Sequence, residues 1–111
     1  MQYLLLIYED ERRFAQGFDP SEMAAYGAFG QKNAAAIKAG NALQPTTTAK
    51  TVRVRNGETV ATDGPFAETK EQLGGYYLVE ANSPDEAASL AAQIPGARYG
   101  SVEVRPIMVF S

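Results

Sequence analysis

The chain has 111 residues, 45% of them hydrophobic and 21% charged, which fits one globular domain and excludes a disordered majority. A formal net charge of −3 argues against a nucleic-acid groove or an anionic membrane surface as the main partner. With no Cys and no His, disulfides, thiolate zinc sites, cysteine nucleophiles and imidazole bases are excluded, so any chemistry falls to carboxylates, Lys, Arg, Tyr, Ser/Thr or backbone groups.

The N-terminal run, residues 2–8, is apolar and of strand length. It has no basic flank and is too short to span a bilayer, so it reads as a buried strand in a cytoplasmic protein. Asp19-Pro20-Ser21-Glu22 has the form of a helix start: a capping Asp, Pro at the first helical position and Glu three residues after the cap. The helix is predicted to run through Ala24, Ala28 and Ala34–Ala36 to Ala39, with Gly40-Asn41 as the stop. Met23, Tyr26, Gly30, Ala34 and Ile37 would lie near one face of it. Val52–Arg55 and Glu58–Thr62 alternate on either side of Asn56-Gly57, a type I′ hairpin in which Arg55 faces Glu58. Asp63-Gly64-Pro65 ends the second strand, and the polar residues 67–73 are predicted to form a helical turn.

Residues 74–80 read as the next strand. Ser83-Pro84-Asp85-Glu86 opens a second helix, with Ala87, Leu90, Ala91 and Ile94 at helical spacing and Pro95-Gly96 as its end. Residues 102–105 and 107–110 form a last strand or strand pair interrupted at Pro106.

This order predicts a single α+β domain over residues 1–111: a ferredoxin-like split βαβ with an inserted β-hairpin and two helices on one face of an antiparallel sheet. The other face is then bare. A bare face in water should show polar residues at alternate positions. Leu4, Leu5, Leu6 and Ile7 are apolar in succession, and so are Ile107–Phe110. A second copy packing sheet to sheet answers this, so a homodimer is expected, set around Asp63-Gly64-Pro65-Phe66. The alternative is a monomer whose hairpin folds over the bare face.

Asp63 and Glu9 are the candidate catalytic residues. Asp63 ends a strand before Gly-Pro, where a fixed turn can aim a side chain into a cavity; the competing reading is an Asx turn bonded to its own backbone. Glu9 and Tyr8 close the first strand, and a Tyr there either donates to a ligand or packs at the rim. Arg53 and Arg105 would need a carboxylate such as Asp63 or Glu9 if buried. Phe66 reads first as core or interface filler, Gly74-Gly75 as a close backbone approach, and Glu68, Lys70 and Glu71 as a solvated face, with Lys70 able to steer an anion. A ligand site would thus draw on Tyr8, Glu9, Arg53, Asp63, Phe66 and Lys70. No EF-hand-like spacing is present, and no metal is expected.

The run from Thr62 to Leu78, with Tyr3–Glu9 and Val102–Ile107, strongly resembles the DGPF-domain proteins, a branch of the YCII-related family. The resemblance covers nearly the whole chain and implies the dimeric α+β barrel fold. A His–Asp pair is proposed as the reactive site in other members, and a dehydrochlorinase belongs to the wider group. The Asp of that pair is similar in position to Glu9 or Asp10, while the His has no counterpart here. Related haem-dependent barrels need a histidine ligand, so no cofactor is expected. The family's genomic association with extracytoplasmic-function sigma factors in bacteria suggests a regulatory setting. Three readings follow. The first is a dimeric small-molecule binding or sensing module with a cavity near Asp63. The second is a cofactor-independent lyase or isomerase using Asp63 or Glu9 as acid/base. The third is a protein-interaction partner in sigma-factor-linked regulation. The absence of His and Cys favours the first over the second.

Overall fold

A computed structural model describes residues 1–110. Strand β1, Gln2–Glu9, alternates: Tyr3, Leu5, Ile7 and Glu9 are buried while Leu4, Leu6 and Tyr8 are only partly so. Pairing it on both sides makes it a central strand. Beyond it run α1 (Pro20–Lys32), β2 (Ile37–Ala42), β3 (Lys50–Arg55), β4 (Glu58–Asp63), β5 (Gln72–Glu80), α2 (Pro84–Ala92) and β6 (Ser101–Pro106). The main sheet has the order β2-β5-β1-β6, antiparallel throughout, while β3 and β4 pair only with each other. With the hairpin set aside, this is the ferredoxin-like order with the expected insertion. No described helix is long and apolar enough to cross a membrane.

Both helix starts form as their residues dictate. Asp19 accepts the Ser21 N–H at 2.9 Å, and Ser83 accepts that of Glu86 at 3.1 Å, each ahead of a Pro in the first turn. Such caps are worth about 1 kcal/mol each. Ala87, Leu90, Ala91 and Ile94 are buried, and together with Phe29 of α1 they cover Tyr3, Leu5 and Val79 of the sheet. Full burial of Leu5 alone is worth about 2–3 kcal/mol. The hairpin turns at Asn56 (φ 54°) and Gly57 (φ 78°), with Arg55 opposite Glu58.

Three local expectations fail. Helix α1 ends at Lys32, not Ala39, because Asn33 closes it: its backbone N–H and its Nδ2 both donate to Phe29 O at 3.1 Å. Residues 37–42, which span the predicted end of that helix and its Gly40-Asn41 stop, form β2 on the sheet edge. Alanine favours helix, but propensity is a weak preference that ladder hydrogen bonds to a distant strand override. Gly40 shows why the edge accepts this segment: a Cβ there would lie 2.7 Å from the Tyr77 ring, so only glycine lets β2 pass so close. Residues 67–71 are bends and irregular chain without a helical turn, and Gln72 already belongs to β5. After Pro106 the chain leaves the ladder. Ile107 N still donates to Gln2 O at 2.9 Å, but Met108, Val109 and Phe110 are exposed and unpaired.

Residues opposed across antiparallel strands share a face. Leu4 therefore stands with Leu78 and Arg105, and Leu6 with Tyr76 and Glu103, on the side away from the helices. The centre of this outer face is apolar, with charge at its margins, Glu103 and Arg105 on β6 and Glu80 at the end of β5. The radius of gyration is 15.9 Å, against about 13 Å expected for a globule of this length.

A candidate cleft beside Glu9

The period of β1 places Glu9 on the helix side of the sheet, in line with Tyr3, Leu5 and Ile7. It is 5% exposed, the one charged residue among the buried. Just beyond it, Asp10 is extended and caps the 3₁₀ turn Glu11–Phe14 by accepting Arg12 N at 3.0 Å. The turn brings Arg13 back over Glu9. Arg13 Nη1 donates to Glu9 Oε2 and Nη2 donates to Glu22 Oε2, both at 2.8 Å. The same guanidinium lies 3.8 Å from the centre of the Tyr99 ring. One cation thus ties β1, α1 and the segment after α2 together.

Behind these groups opens a cleft of about 760 Å³ between α1, the 3₁₀ turn and the β2–β5 edge. Phe14, Phe18, Tyr26 and Tyr77 contribute to its walls, and Glu9, Glu11, Asp19 and Glu22 supply carboxylates. Phe14 and Phe18 pack at 5.1 Å between centroids. Thr46 N and Oγ1 both donate to Glu11 at 2.7 Å, which pins the segment after β2 across one end.

Glu9 Oε1 is buried and accepts no hydrogen bond from the described residues. Burial raises the Glu9 pKa above its usual 4.5; the Arg13 charge pulls the other way, and Glu22 and Glu71 add to the rise. Tyr26 Oη accepts the Gly96 N–H at 3.1 Å. Its pKa is pushed up to about 12, first by burial and then by the Glu9 charge, so it stays a neutral hydroxyl. Gly96 makes this closeness possible. A Cβ there would collide with Glu9 Oε1 and stand 2.7 Å from Tyr26 Oη.

The other residues singled out in the sequence lie elsewhere. Tyr8 faces the outer side of the sheet, where its hydroxyl donates to Glu103 at 3.4 Å. Arg53 is exposed on β3 opposite Val60, and Arg105 pairs with Glu103 at 3.5 Å, so neither arginine meets Asp63 or Glu9. Asp63 ends β4 and accepts from Lys50 Nζ at 2.7 Å, with both side chains largely exposed. Its turn is set by Gly64 (φ 98°), whose N–H donates to Ala49 O at 2.7 Å. Phe66 is 81% exposed. Lys70 borders a second depression of about 430 Å³ with Asp10, Thr46, Gly64 and Pro65. Of the six proposed ligand residues, Glu9 alone reaches the cleft. Sequence reasoning passed over Arg13, Glu22, Phe14 and Phe18. The signal was the β1 period, which sets a carboxylate in a buried row.

The chain matches the YCII-related domain over residues 1–111. It is 42% identical, over 117 aligned positions, to an uncharacterised protein of Rhizobium meliloti (strain 1021), R00369; the alignment covers 99% of this chain and 94% of that one. Among solved structures it is similar to 5-chloro-2-hydroxyhydroquinone dehydrochlorinase (TftG) from Burkholderia phenoliruptrix AC1100, in complex with 2,5-dihydroxybenzoquinone. The TM-score there is 0.55 and the identity 18%, over 97% of this chain and 94% of that one. That likeness shows the fold alone, two helices on an antiparallel sheet in ferredoxin-like order. On the residue match and the curated relative, the chain belongs to the YCII-related family, also called DGPF.

Proposed function

We propose that this protein binds a small planar molecule in the cleft beside Glu9, as a dimer of two copies joined through the outer face of the sheet. The observation that carries the binding site is the Glu9 carboxylate, buried with one oxygen lacking a donor in the wall of an aromatic cleft. Leaving such an atom unpaired costs about 1–3 kcal/mol. Oε1 is packed on the Gly96 backbone, so a ligand that draws the carboxylate a short way into the cleft and donates to it removes that cost and gains stacking area on the rings. The dehydrochlorinase of similar fold, solved with a dihydroxybenzoquinone, supports a ligand of that size and flatness.

A thermal-shift screen of small phenols, quinones and aryl amines against wild type and Glu9→Gln tests the site. Compounds that stabilise wild type should lose most of that effect in the variant. A library without stabilising compounds, or hits that persist unchanged in Glu9→Gln, would remove this cleft from consideration. A second reading, acid/base catalysis of lyase or isomerase type, is favoured by the raised Glu9 pKa, which suits proton exchange nearer neutral pH. It requires turnover that Glu9→Gln abolishes while ligand still binds.

The dimer rests on Leu4, Leu6, Tyr76 and Leu78, an apolar patch on the side that the helices leave uncovered. Sedimentation at micromolar concentration should give twice the chain mass for wild type and one chain mass for Leu6→Asp. A wild-type mass of one chain refutes it.

A further inference from the structure

The charges around the cleft discriminate among ligands. Four carboxylates line it, Glu9, Glu11, Asp19 and Glu22, against one cation, Arg12. Arg12 is already committed: its Nε and Nη2 both donate to the Asp10 carboxylate, the latter at 2.6 Å. Two of the acids are committed too, Glu11 to Thr46 and Asp19 to the start of α1. What remains is Glu9 and Glu22, held side by side on the single guanidinium of Arg13. The trio carries two negative charges and one positive. Glu22 raises the pKa of Glu9, so the two carboxylates feel one another. Glu9 is nine-tenths buried with Oε1 unpartnered, and Glu22 accepts only through Oε2 among the described residues.

We infer that the cleft selects an aromatic ligand bearing an ammonium group, seated on the free oxygen of Glu22 within the field of the buried Glu9 carboxylate, with its ring against the aromatic wall. This rests on the reading of the cleft as a binding site and adds the ligand's charge to it. A second cation balances the trio, which Arg13 alone leaves with a net charge of −1. Low-dielectric surroundings strengthen that attraction, and the Phe14, Tyr26 and Tyr77 rings favour a cation over an anion. A ligand carboxylate meets the opposite field, with every unpaired charge in the cleft repelling it.

Three ligands of matched shape separate the possibilities: 2-phenylethylamine, 2-phenylethanol and phenylacetate, each titrated into the wild-type protein and followed by amide chemical shifts of the cleft residues. The amine should bind about tenfold or more tightly than the alcohol, as hydrogen bonds to charged groups exceed neutral ones, and phenylacetate more weakly than both. Glu22→Gln, at a site 12% exposed, should abolish the preference for amine over alcohol, and Glu9→Gln should reduce it. Equal binding of amine and alcohol overturns the ligand class while leaving the cleft a binding site. A preference for phenylacetate overturns it also. No cleft shift with any of the three, together with an empty thermal-shift screen, overturns both proposals.

Discussion

Replacing Gly96 by Ala adds one methyl group and tests whether Glu9 and Tyr26 are held as closely as the structure places them. The new Cβ would collide with Glu9 Oε1, stand 2.7 Å from Tyr26 Oη and 3.1 Å from Ile7 Cγ2. None of these three can retreat easily: Glu9 is anchored by Arg13, Tyr26 takes the Gly96 N–H, and Ile7 lies in the central strand. Overpacking of this kind costs about 1–3 kcal/mol. Loss of the Gly96 N–H bond to Tyr26 adds about 1 kcal/mol. For a chain of this length each kcal/mol moves the thermal midpoint by about 4 °C, so a fall of roughly 8–16 °C is expected by circular dichroism or calorimetry.

Gly27→Ala is the internal control. A Cβ at Gly27 meets nothing within 4 Å, and the residue sits inside α1. There the same methyl group should stabilise by about 0.5–1 kcal/mol through helix propensity. The two substitutions therefore move the midpoint in opposite directions. If Gly96→Ala leaves it unchanged, Glu9 and Tyr26 are not packed on the Gly96 backbone, and the geometry of the cleft floor is wrong.

Glu9 also sets a pH dependence. Its pKa is raised on folding, so its contribution to stability is fully present below 4.5 and lost as pH rises through the folded value. Denaturant curves between about pH 4 and about pH 8 should show Glu9→Gln gaining on wild type as pH rises, and parallel curves contradict a burial-dominated carboxyl. Tyr26 should ionise only near pH 12, and Tyr26→Phe should delete that late step from the ultraviolet titration. Asp63→Ala, which removes an exposed ion pair, should leave the thermal midpoint within about 2 °C. Gly64→Ala should instead speed amide exchange in the hairpin, since φ 98° strains any residue with a Cβ by about 1–2 kcal/mol.

What could be read without coordinates was whatever short-range chemistry decides. Asp19 and Ser83 cap because their side chains reach N–H groups two or three residues on, and Asn56-Gly57 turns because both residues take positive φ. The row Ala87, Leu90, Ala91, Ile94 announced its own buried face. Strand β2 was illegible for the opposite reason. Its first residues read as the end of a helix and Gly40-Asn41 as the stop, and only β5, more than thirty residues away, gives them a ladder. The cleft was hidden in the same way. Phe14, Tyr26, Tyr77 and Glu9 come from four separate segments, and no local pattern joins them. Asp63 drew attention because it stands before Gly-Pro, and its carboxylate meets Lys50 across the hairpin ladder. Glu9 was the exception, since its place in the β1 alternation was readable from the chain alone.

The separate pairing of β3 and β4 has a kinetic meaning. Their ladder hydrogen bonds run only to each other, so they can open and close without breaking any bond of the four-stranded sheet. A two-stranded ribbon is marginal by itself in water. The amides of Lys50–Asp63 should therefore exchange with solvent through local opening, long before those of β1, which β5 and β6 flank on both edges. Substitutions in the Leu5 core should change the slow β1 amides and leave the fast ones at their own rate, giving one small chain two independent clocks.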